Sequence, residues 1–389
     1  MERPFGAADV SGPAKSGIAR LDPEFTRKRL QAWFAARTPR AKDLTVGPVT
    51  FPTEGGRSAE SSFIDVKFVL DGQLVEEQFV VRREFGAGEI FLGADLSLPW
   101  NMMQALAGRP GVPVPECVAV ENDPEVLTTP FLVMRRRPGR IAPLSPNYNL
   151  QGWVAELTPD QRGILWRNGI EQIARIHGLD WRDGFGFLHE SAQGAPGLDQ
   201  YLSWLERWYR WAIGERRFEI GEAALDYLLR NRPDNPRVDV LWGDATPHNL
   251  LFNDDLSVSA VLDWEAARLG PGETDLAWWI FFNELLSEGI EVERLAGLPS
   301  RAETIALYEA ASGRSAQDMD YYSLLSEFRM TTVGIRAGDR RAGGQGKVPV
   351  DEFYQNPSAR MVARRLGMTL PPTGPAYEAS CALLGKIGK

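Results

Sequence analysis

The sequence predicts an α+β fold in which strands come first and helices follow. Runs typical of strands lie between about residue 49 and residue 134, and turn residues separate them. From about residue 159 onward, apolar residues recur instead at helical spacing. Asp71-Gly72 separates two of the strand-like runs, and this dipeptide is typical of a tight antiparallel hairpin. A block of strands followed by a block of helices indicates an α+β protein.

The first predicted helix begins at Pro23. Asp22 can cap this helix with its side chain, and proline is favoured at the first helical position because an N–H there would lack a helical partner. Leu30, Trp33 and Phe34 give the helix one apolar face. The strands that follow are predicted at residues 49–51, 62–70, 77–82, 117–120 and 131–134.

The rest of the chain is predicted to be mostly helical. The helices are expected at residues 159–177, 198–213, 219–231, 274–286, 302–312 and 318–337. Trp204, Trp208 and Trp211 fall at helical spacing and are interpreted as core residues, with a binding platform as the alternative. Residues 338–347 are rich in glycine and charge and predict a flexible loop, either a lid or a disordered segment.

Length, charge and cysteine content narrow the class of protein. The chain has 389 residues, enough for a two-lobed enzyme, and its formal net charge of −9 argues against nucleic-acid binding. Cys117 and Cys381 lie far apart and cannot build a framework of disulfides, which favours the reducing cytoplasm. No apolar run reaches the ~18 residues of a membrane span. Residues 1–17 lack an apolar core and predict a loose arm rather than a signal peptide.

Two polar loops carry the most informative residues. Asp244 and Asn249 lie five residues apart after an apolar run, and Asp263 directly follows a second apolar run. Phosphoryl transfer uses this order, because a carboxylate takes the proton of the acceptor hydroxyl and two oxygen ligands hold Mg²⁺. Asp244 is therefore the candidate base, and Asn249 and Asp263 are the candidate metal ligands. The alternative, that all three are turn formers, does not explain the apolar runs beside both loops.

The segments Trp242–Asn249 and Leu262–Glu265 resemble the signature of the aminoglycoside phosphotransferase and choline kinase superfamily. Shorter segments are similar to the branch that includes kinase-like domains fused to acyl-CoA dehydrogenases: Gly55–Ser58, Phe131–Met134, Ile173–His177 and Asp275–Trp279. The resemblance implies a protein-kinase-like two-lobed fold, with a small antiparallel β lobe and a larger helical lobe. It assigns 1–44 to an arm and helix, 45–137 to a nucleotide-binding N-lobe, and 138–389 to a C-lobe with the catalytic loop and acceptor site.

The same resemblance implies the residues that hold the nucleotide phosphates. Gly55, Gly56 and Ser58 match a phosphate-binding turn, since glycines allow backbone N–H groups to approach phosphates closely. Because their spacing differs from that of a protein-kinase glycine loop, a plain hairpin turn is the alternative. Arg82 matches the basic residue that contacts the phosphates, with Arg83 as the second choice and a solvated strand end as the alternative.

Further positions follow from the family pattern. The backbone at Met134 and Arg135 is implied to form the hinge that hydrogen-bonds adenine. His177 resembles a structural position, and Asp275 either buttresses the catalytic loop or is simply an acid at a helix N-terminus. Trp242 stands where the family usually has a histidine that supports the loop, so we expect the indole to replace it by packing.

One departure from the pattern bears on activity. The predicted helix at 98–106 offers no carboxylate to pair with Arg82, and Glu89 or Asp95 is the candidate substitute. This absence motivates an alternative function, a nucleotide-binding protein of the same fold without turnover.

The predicted function is an ATP-dependent O-phosphotransferase that acts on the hydroxyl of a small molecule and requires Mg²⁺. ATP or another nucleoside triphosphate is the expected donor. The acceptor remains open between an aminoglycoside or amino alcohol and a hydroxyacyl-CoA type of compound. A pocket lined by carboxylates would favour the amines, and a basic, elongated entrance would favour CoA esters.

Overall fold

The computed structural model describes residues 10–13, 19–52, 59–84, 90–93, 95–144, 146–234, 236–370 and 372–385. The chain divides into two compact units. The first comprises Met1–Trp100 with Pro115–Arg136, and the second comprises Asn101–Val114 with Arg137–Lys389.

The first unit is built on an antiparallel sheet. Its strands are β1 (Val10–Pro13), β2 (Ala19–Leu21), β3 (Lys42–Val46), β4 (Ala59–Leu70), β5 (Gln73–Glu84), β6 (Cys117–Glu121) and β7 (Phe131–Arg135). Its helices are α1 (Pro23–Arg37), α2 (Ser97–Leu106, which continues into the second unit) and α3 (Pro124–Leu127). Five strands form one sheet in the order β3-β4-β5-β7-β6, and β1 pairs with β2.

The hairpin predicted at Asp71-Gly72 is confirmed. Strands β4 and β5 pair without a register shift from Ala59 opposite Glu84 to Leu70 opposite Gln73. Asp71 and Gly72 both have positive φ angles, 52° and 83°. A two-residue turn with two positive φ angles matches the right-handed twist of the strands, which explains why this dipeptide joins them.

The strand predicted at 49–51 is wrong. Thr50 makes only an isolated bridge to Phe63, and the strand beside β4 is β3, a few residues earlier. Pro48 and Pro52 flank the predicted strand, and a proline has no N–H to give to a sheet ladder. Strand β3 was missed because it lies at the sheet edge, where polar residues are tolerated.

Helix α1 covers one face of the sheet, as its sequence predicts. The Asp22 carboxylate accepts a hydrogen bond from the backbone N–H of Phe25 at 2.7 Å and so caps the helix. Trp33 and Phe34 are buried in a core with Phe79 of β5, and the rings of Phe34 and Phe79 lie 5.2 Å apart. The apolar face of α1 therefore forms the core of the first unit together with the sheet.

The second unit is mostly helical. Its elements begin with α4 (Trp153–Glu156), α5 (Pro159–His177), α6 (Leu198–Ile213), α7 (Glu219–Arg230), β8 (Asp239–Leu241), β9 (Leu250–Phe252), β10 (Val258–Val261) and β11 (Arg268–Gly270). They continue with α8 (Glu273–Leu285), α9 (Arg301–Ser312), α10 (Met319–Arg341), α11 (Val350–Tyr354), α12 (Pro357–Arg365) and α13 (Pro375–Leu383). All six helices predicted after residue 158 are confirmed. A search of the described residues for a helix able to span a membrane finds none.

The loop predicted at 338–347 is wrong for its first four residues, and residues 342–347 do lie outside a helix. Its first four residues extend α10, and the buried Asp339 forms an ion pair with Arg216 at 2.7 Å. The Asp339 carboxylate also accepts hydrogen bonds from the backbone N–H groups of Gly346 and Val348, each at 3.0 Å. A buried carboxylate with several partners fastens the segment, because breaking these bonds would leave a buried charge unsatisfied.

Candidate active site

Two short strand pairs position the polar loops of the second unit. Strand β8 pairs with β11, and β9 pairs with β10, both antiparallel. Asn249 precedes β9, and Asp263 follows β10 after one intervening residue, Leu262. The N–H of Leu262 donates to the carbonyl of Asn249 at 2.9 Å, so the ladder continues past the strand ends. The hairpin therefore brings the two predicted metal ligands close together.

The Asp244 carboxylate is held at both of its oxygens. The Asn249 side-chain N–H group donates to Oδ2 at 2.7 Å and also to the Asp244 carbonyl at 3.0 Å. The indole N–H of Trp278, on α8, donates to Oδ1 at 2.8 Å. Hydrogen bonds to a carboxylate restrict its orientation, so the candidate base is preorganised. Sequence reasoning placed Asp244 and Asn249 in one loop but missed Trp278.

Burial raises the pKa of Asp244 to about 6, and the negative charge of Asp263 acts in the same direction. The positive charge of Arg329 and the hydrogen bonds from Trp278 and Asn249 oppose this rise. Two carboxylates that repel each other in this way favour a cation between them. The interaction also shows that the two loops bring Asp244 and Asp263 within electrostatic reach.

Asp263 has an unusual backbone conformation. Its φ angle is 61°, in the left-handed region that residues other than glycine adopt rarely. Such a conformation costs about 1 to 3 kcal/mol and persists where the surrounding structure enforces it, often at functional sites. The backbone at this position therefore supports the view that the loop is shaped for the Asp263 side chain.

These side chains suit Mg²⁺. The amide nitrogen of Asn249 is bonded to Asp244, which leaves the amide oxygen for a cation. No group of three or more His, Cys, Asp or Glu side chains that could hold a metal occurs among the described residues. Mg²⁺ commonly takes one or two protein oxygens and completes its shell with water and phosphate oxygens. An amide oxygen and a carboxylate from Asp263 fit that pattern.

The Asp244 loop rests on Asp275, the third residue of α8. Its carboxylate accepts hydrogen bonds from the backbone N–H groups of Trp242 at 2.7 Å and Gly243 at 3.0 Å. His177 Nε2 lies 3.2 Å from the same carboxylate, and His177 Nδ1 lies 2.9 Å from the Tyr308 hydroxyl. All of these groups are buried. Asp275 therefore buttresses the loop, and His177 has a structural role.

Trp242 replaces the expected histidine by packing and by one hydrogen bond. Its side chain is completely buried, and its indole N–H donates to the Leu262 carbonyl at 2.7 Å. This bond joins the Asp244 loop to the stem that carries Asp263. The tryptophan thus links the two loops of the site.

Gly243 is required where the loop passes the backbone just before β11. Its φ angle is +87°, and a Cβ atom built there would lie 2.0 Å from the carbonyl oxygen of Ala266. We expect Gly243→Ala to lower the free energy of unfolding by more than about 2 kcal/mol, because it combines a positive φ with a clash against backbone. Gly313→Ala is the matched control, since its φ is +67° and nothing lies within 4 Å of the added Cβ. Urea unfolding of both variants compares the costs, and equal losses would contradict the role of the clash.

In the first unit, Arg82 and Arg83 point to opposite faces of β5. Arg83 lies on the α1 face with Phe79, is buried, and forms an ion pair with Glu60 at 3.2 Å. Arg82 lies on the other face, because side chains alternate along a strand. Arg83 is therefore structural, and Arg82 remains the predicted phosphate ligand. Gly55, Gly56, Ser58 and Glu89 lie outside the described residues.

Helix α2 lacks a carboxylate, as predicted, and acids near it cap its start. Asp95 accepts a hydrogen bond from the Ser97 N–H at 2.9 Å. Glu84 accepts one from the Leu96 N–H at 3.1 Å. Glu84 lies two residues after Arg82 on the same face of β5, so it is a carboxylate near Arg82 that sequence reasoning missed.

Two backbone N–H groups at the predicted hinge already form hydrogen bonds within the first unit. The N–H of Arg135 donates to the Glu116 carbonyl at 2.8 Å, and the N–H of Arg136 donates to the Gln78 carbonyl at 2.9 Å. The Arg135 guanidinium also pairs with Glu77 at 2.6 Å. The two amides therefore bond within the first unit, and the Arg135 side chain also pairs with Glu116 at 3.0 Å.

Comparisons with known proteins find a matching family and several similar proteins. A sequence model described as the phosphotransferase enzyme family matches residues 76–308. Acyl-CoA dehydrogenase family member 11 of Pongo abelii is 27% identical over 242 residues, which are 59% of this chain and 29% of that protein. Family member 10 of Mus musculus is 27% identical over 275 residues, 67% of this chain and 24% of that protein. The chain therefore spans less than a third of the length of these relatives.

Solved structures show the same fold. A protein from Ralstonia eutropha JMP134, named provisionally as an aminoglycoside phosphotransferase, superposes with a TM-score of 0.58 at 23% identity and covers 92% of this chain and 97% of that chain. A thermostable mutant of aminoglycoside phosphotransferase APH(4)-Ia, in ternary complex with ADP and hygromycin B, gives a TM-score of 0.52 at 15% identity, covering 87% and 99%.

The family match spans more than half of the chain and includes both loops of the site. The two-lobed, kinase-like α+β fold predicted from the sequence is confirmed by the similar structures. The predicted enzyme class, a small-molecule kinase that acts on hydroxyl groups, is confirmed by the family match. The chain belongs to the phosphotransferase enzyme family.

Proposed function

We propose that this protein transfers a phosphoryl group from ATP, or from another nucleoside triphosphate, to a hydroxyl of a small molecule, with Asp244 as the general base. The observation that carries the proposal is the Asp244 carboxylate, held by Asn249 and Trp278 at 2.7 and 2.8 Å. With its pKa raised to about 6, this carboxylate is mostly ionised at neutral pH and still accepts a proton readily. It can therefore take the proton of an attacking hydroxyl.

Asn249 and Asp263 would hold Mg²⁺ beside this base. When bound, Mg²⁺ neutralises the charge that spreads over the transferred phosphoryl group. The chain itself supplies rigid stems for both ligands, because Asn249 and Leu262 bond through their backbones and Trp242 bonds to the same stem. The proposal predicts that activity depends on a divalent cation.

The nucleotide is assigned to the first unit. Arg82, Gly55, Gly56 and Ser58 would contact the phosphates, and the hinge at Met134 and Arg135 would contact the base. Support for a nucleotide comes from the similar fold of the APH(4)-Ia complex, which contains ADP. Support for Arg82 over its neighbour comes from the Arg83 ion pair with Glu60, which commits Arg83 to the core. The acidic partner nearest in sequence to Arg82 on its own face is Glu84.

The two arginines of β5 are expected to respond differently to substitution. Arg82→Met should raise the KM for ATP by about tenfold, because a phosphate contact is lost, and should leave the unfolding free energy nearly unchanged. Arg83→Met should lower the unfolding free energy by about 3 kcal/mol, because Glu60 is left buried without its cation. Steady-state kinetics and urea unfolding measure both effects. The reverse pattern would transfer the phosphate role to Arg83.

The direct test is ATP consumption with Mg²⁺ against a panel of hydroxyl compounds that includes aminoglycosides, amino alcohols and hydroxyacyl-CoA esters. We expect turnover with at least one acceptor class and none after chelation of the divalent cation. Product phosphorylation is verified by mass spectrometry, so that ATP hydrolysis alone does not count as transfer. Absence of turnover across the whole panel would contradict the proposal.

A nucleotide-binding protein without turnover is the second candidate. The absence of a carboxylate on α2 favours it, because kinases of this fold pair their phosphate-binding cation with an acid on that helix. Titration with Mg²⁺-ATP in a calorimeter, followed by the turnover panel, separates the two functions. Tight binding without any transfer would favour this candidate.

A further inference from the structure

Arg329 of α10 is a buried cation whose charge acts on the candidate base Asp244. Only 1% of the residue is exposed, and its Nε and Nη2 atoms have no hydrogen-bond partner in the described part of the chain. Its guanidinium lies 4.1 Å from the ring centre of Trp278, the residue that donates to Asp244. Burying an unsatisfied guanidinium is costly, and buried polar groups are almost always bonded. The negative charge of Asp244 offsets part of this cost, and the two unbonded N–H groups leave donors for a further anion.

A second arginine lies close to the first. The guanidinium of Arg268, on β11, lies 3.9 Å from the ring centre of Trp204, and its buried Nε has no partner among the described residues. Its ion pair with Glu190 at 3.3 Å is weak compensation, because the Glu190 side chain is 47% exposed. Burial lowers the pKa of Arg268 to about 10, and the charge of Arg329 adds to this effect. Two like charges are thus held near each other.

Tyr201 of α6 contributes a third donor. It is buried, and its hydroxyl lies within hydrogen-bonding reach of the Arg329 side chain. Because a guanidinium can only donate, the hydroxyl oxygen accepts there and the hydroxyl proton is left for another acceptor. Its ring lies 5.4 Å from that of Trp204, on which Arg268 stacks. Burial raises the pKa of Tyr201, and the charge of Asp275 adds to the rise. The charges of Arg329 and Arg268 and the hydrogen bond from Arg329 act against it. One hydroxyl and two guanidinium groups therefore surround one region of the second unit.

The charge along α10 extends this region. Arg336 and Arg340 follow Arg329 by seven and eleven residues, which places all three on one face of the helix. Arg336 lies 3.9 Å from the ring centre of Trp211, and the charge of Arg340 interacts with Glu265, two residues after the Asp263 metal ligand. Asp339 also lies 3.9 Å from Arg336, so this face carries cations and aromatic rings with acids beside them.

We propose that Arg268, Arg329 and Tyr201 form a subsite for an anionic group of the acceptor, a carboxylate or a phosphate. The acceptor is then a hydroxyl compound with a negative charge, and an amino sugar or amino alcohol is disfavoured because its ammonium groups would meet like charges. Arg268, with a side chain that is 13% exposed, is the member that solvent reaches, so the anion enters beside it. This inference rests on the proposed phosphotransferase function.

The test uses acceptors that differ only in the charged end. The assay contains the 389-residue chain, ATP and Mg²⁺. It compares four series of acceptors of the same chain length: straight-chain ω-hydroxyalkanoates, their primary amides, ω-amino alcohols and hydroxyalkyl phosphates. We expect kcat/KM to be at least about tenfold higher for the anionic members than for the amide. The carboxylate and phosphate series separate the two possible anions. Equal rates, or preference for the amine, would overturn the inference while leaving the phosphotransferase proposal intact.

Variants of Arg268 and Arg329 test whether the preference for an anionic acceptor depends on these two residues. Arg268→Gln should raise the KM for the anionic acceptor by about tenfold and leave the KM for the amide unchanged. Arg329→Met removes the buried arginine of the same subsite. Because this change lies in the core, circular dichroism is used to check that the variant folds. Arg230→Gln removes a charge from an exposed i,i+4 ion pair on α7 and is the matched control. If Arg268→Gln affected the charged and neutral acceptors equally, the subsite would be rejected.

A binding measurement distinguishes failure of the anionic subsite from failure of the proposed phosphotransferase function. If no acceptor is phosphorylated, the alkanoates and amides are titrated calorimetrically into the protein loaded with a non-hydrolysable ATP analogue. Binding of the alkanoate at least tenfold more tightly than the amide, with this preference lost in Arg268→Gln, would support the anionic subsite without turnover. No difference between the two probes would overturn it.

Discussion

Asp244→Asn is expected to lower kcat by about 10²-fold or more. The amide keeps the shape of the carboxylate but cannot take the proton of an attacking hydroxyl. The structure makes this position sensitive, because both oxygens accept hydrogen bonds, from Asn249 and from Trp278. The measurement is ATP-dependent phosphorylation of the best acceptor, with the unfolding temperature recorded to show that the variant folds.

Asp254→Asn is the matched control for this substitution. Asp254 lies in the turn between β9 and β10, and its side chain is fully exposed. The same change of charge, made on the same hairpin, should leave kcat within about twofold of the wild type, since surface substitutions away from special features have small effects. If Asp244→Asn and Asp254→Asn were equally active, Asp244 could not be the base.

Asp275→Ala is expected to lower the free energy of unfolding by about 3 kcal/mol or more and to abolish most of the activity. The carboxylate accepts from the N–H groups of Trp242 and Gly243, and His177 lies against it. Removing the acceptor leaves several buried donors unsatisfied, each with a desolvation cost. The Asp244 loop also loses its support. Urea unfolding and the phosphorylation assay measure the two effects.

Two further variants test whether the effect comes from the buried network. Tyr308→Phe removes only the hydroxyl beside His177 Nδ1 and should cost about 1 kcal/mol. Asp226→Ala, which removes an exposed carboxylate from an ion pair with Arg230 on α7, should cost less than about 0.5 kcal/mol. A loss for Asp275→Ala no greater than that of Asp226→Ala would contradict the buttressing role.

The helices of the second unit were predictable because burial imposes a helical period on their sequences. The wrong predictions, at 49–51 and at the start of 338–347, involve features that leave no periodic pattern in the sequence. The strand at 49–51 failed because prolines flank it, and residues 338–347 are fastened by an ion pair between Asp339 and Arg216, which lie 123 residues apart in the sequence. A contact of this kind has no local signal.

Part of the missed support for the site does have a signal. Asp275 and Trp278 are three residues apart on α8, so both side chains lie on the same side of the helix. Asp275 bonds to the backbone of the Asp244 loop, and Trp278 bonds to the Asp244 side chain. A tryptophan one turn after a buttressing acid is therefore a reasonable candidate for contact with the catalytic loop.

By itself, the sequence determined the fold class, most of the helices, and the order of Asp244, Asn249 and Asp263 that indicates phosphoryl transfer. These features depend on local spacing, which is written along the chain. Only the tertiary structure decided which arginine of β5 is buried with Glu60 and which donors hold Asp244. It also revealed the buried Arg329, because charge balance and desolvation depend on side chains that are far apart in sequence and meet only when the chain is folded.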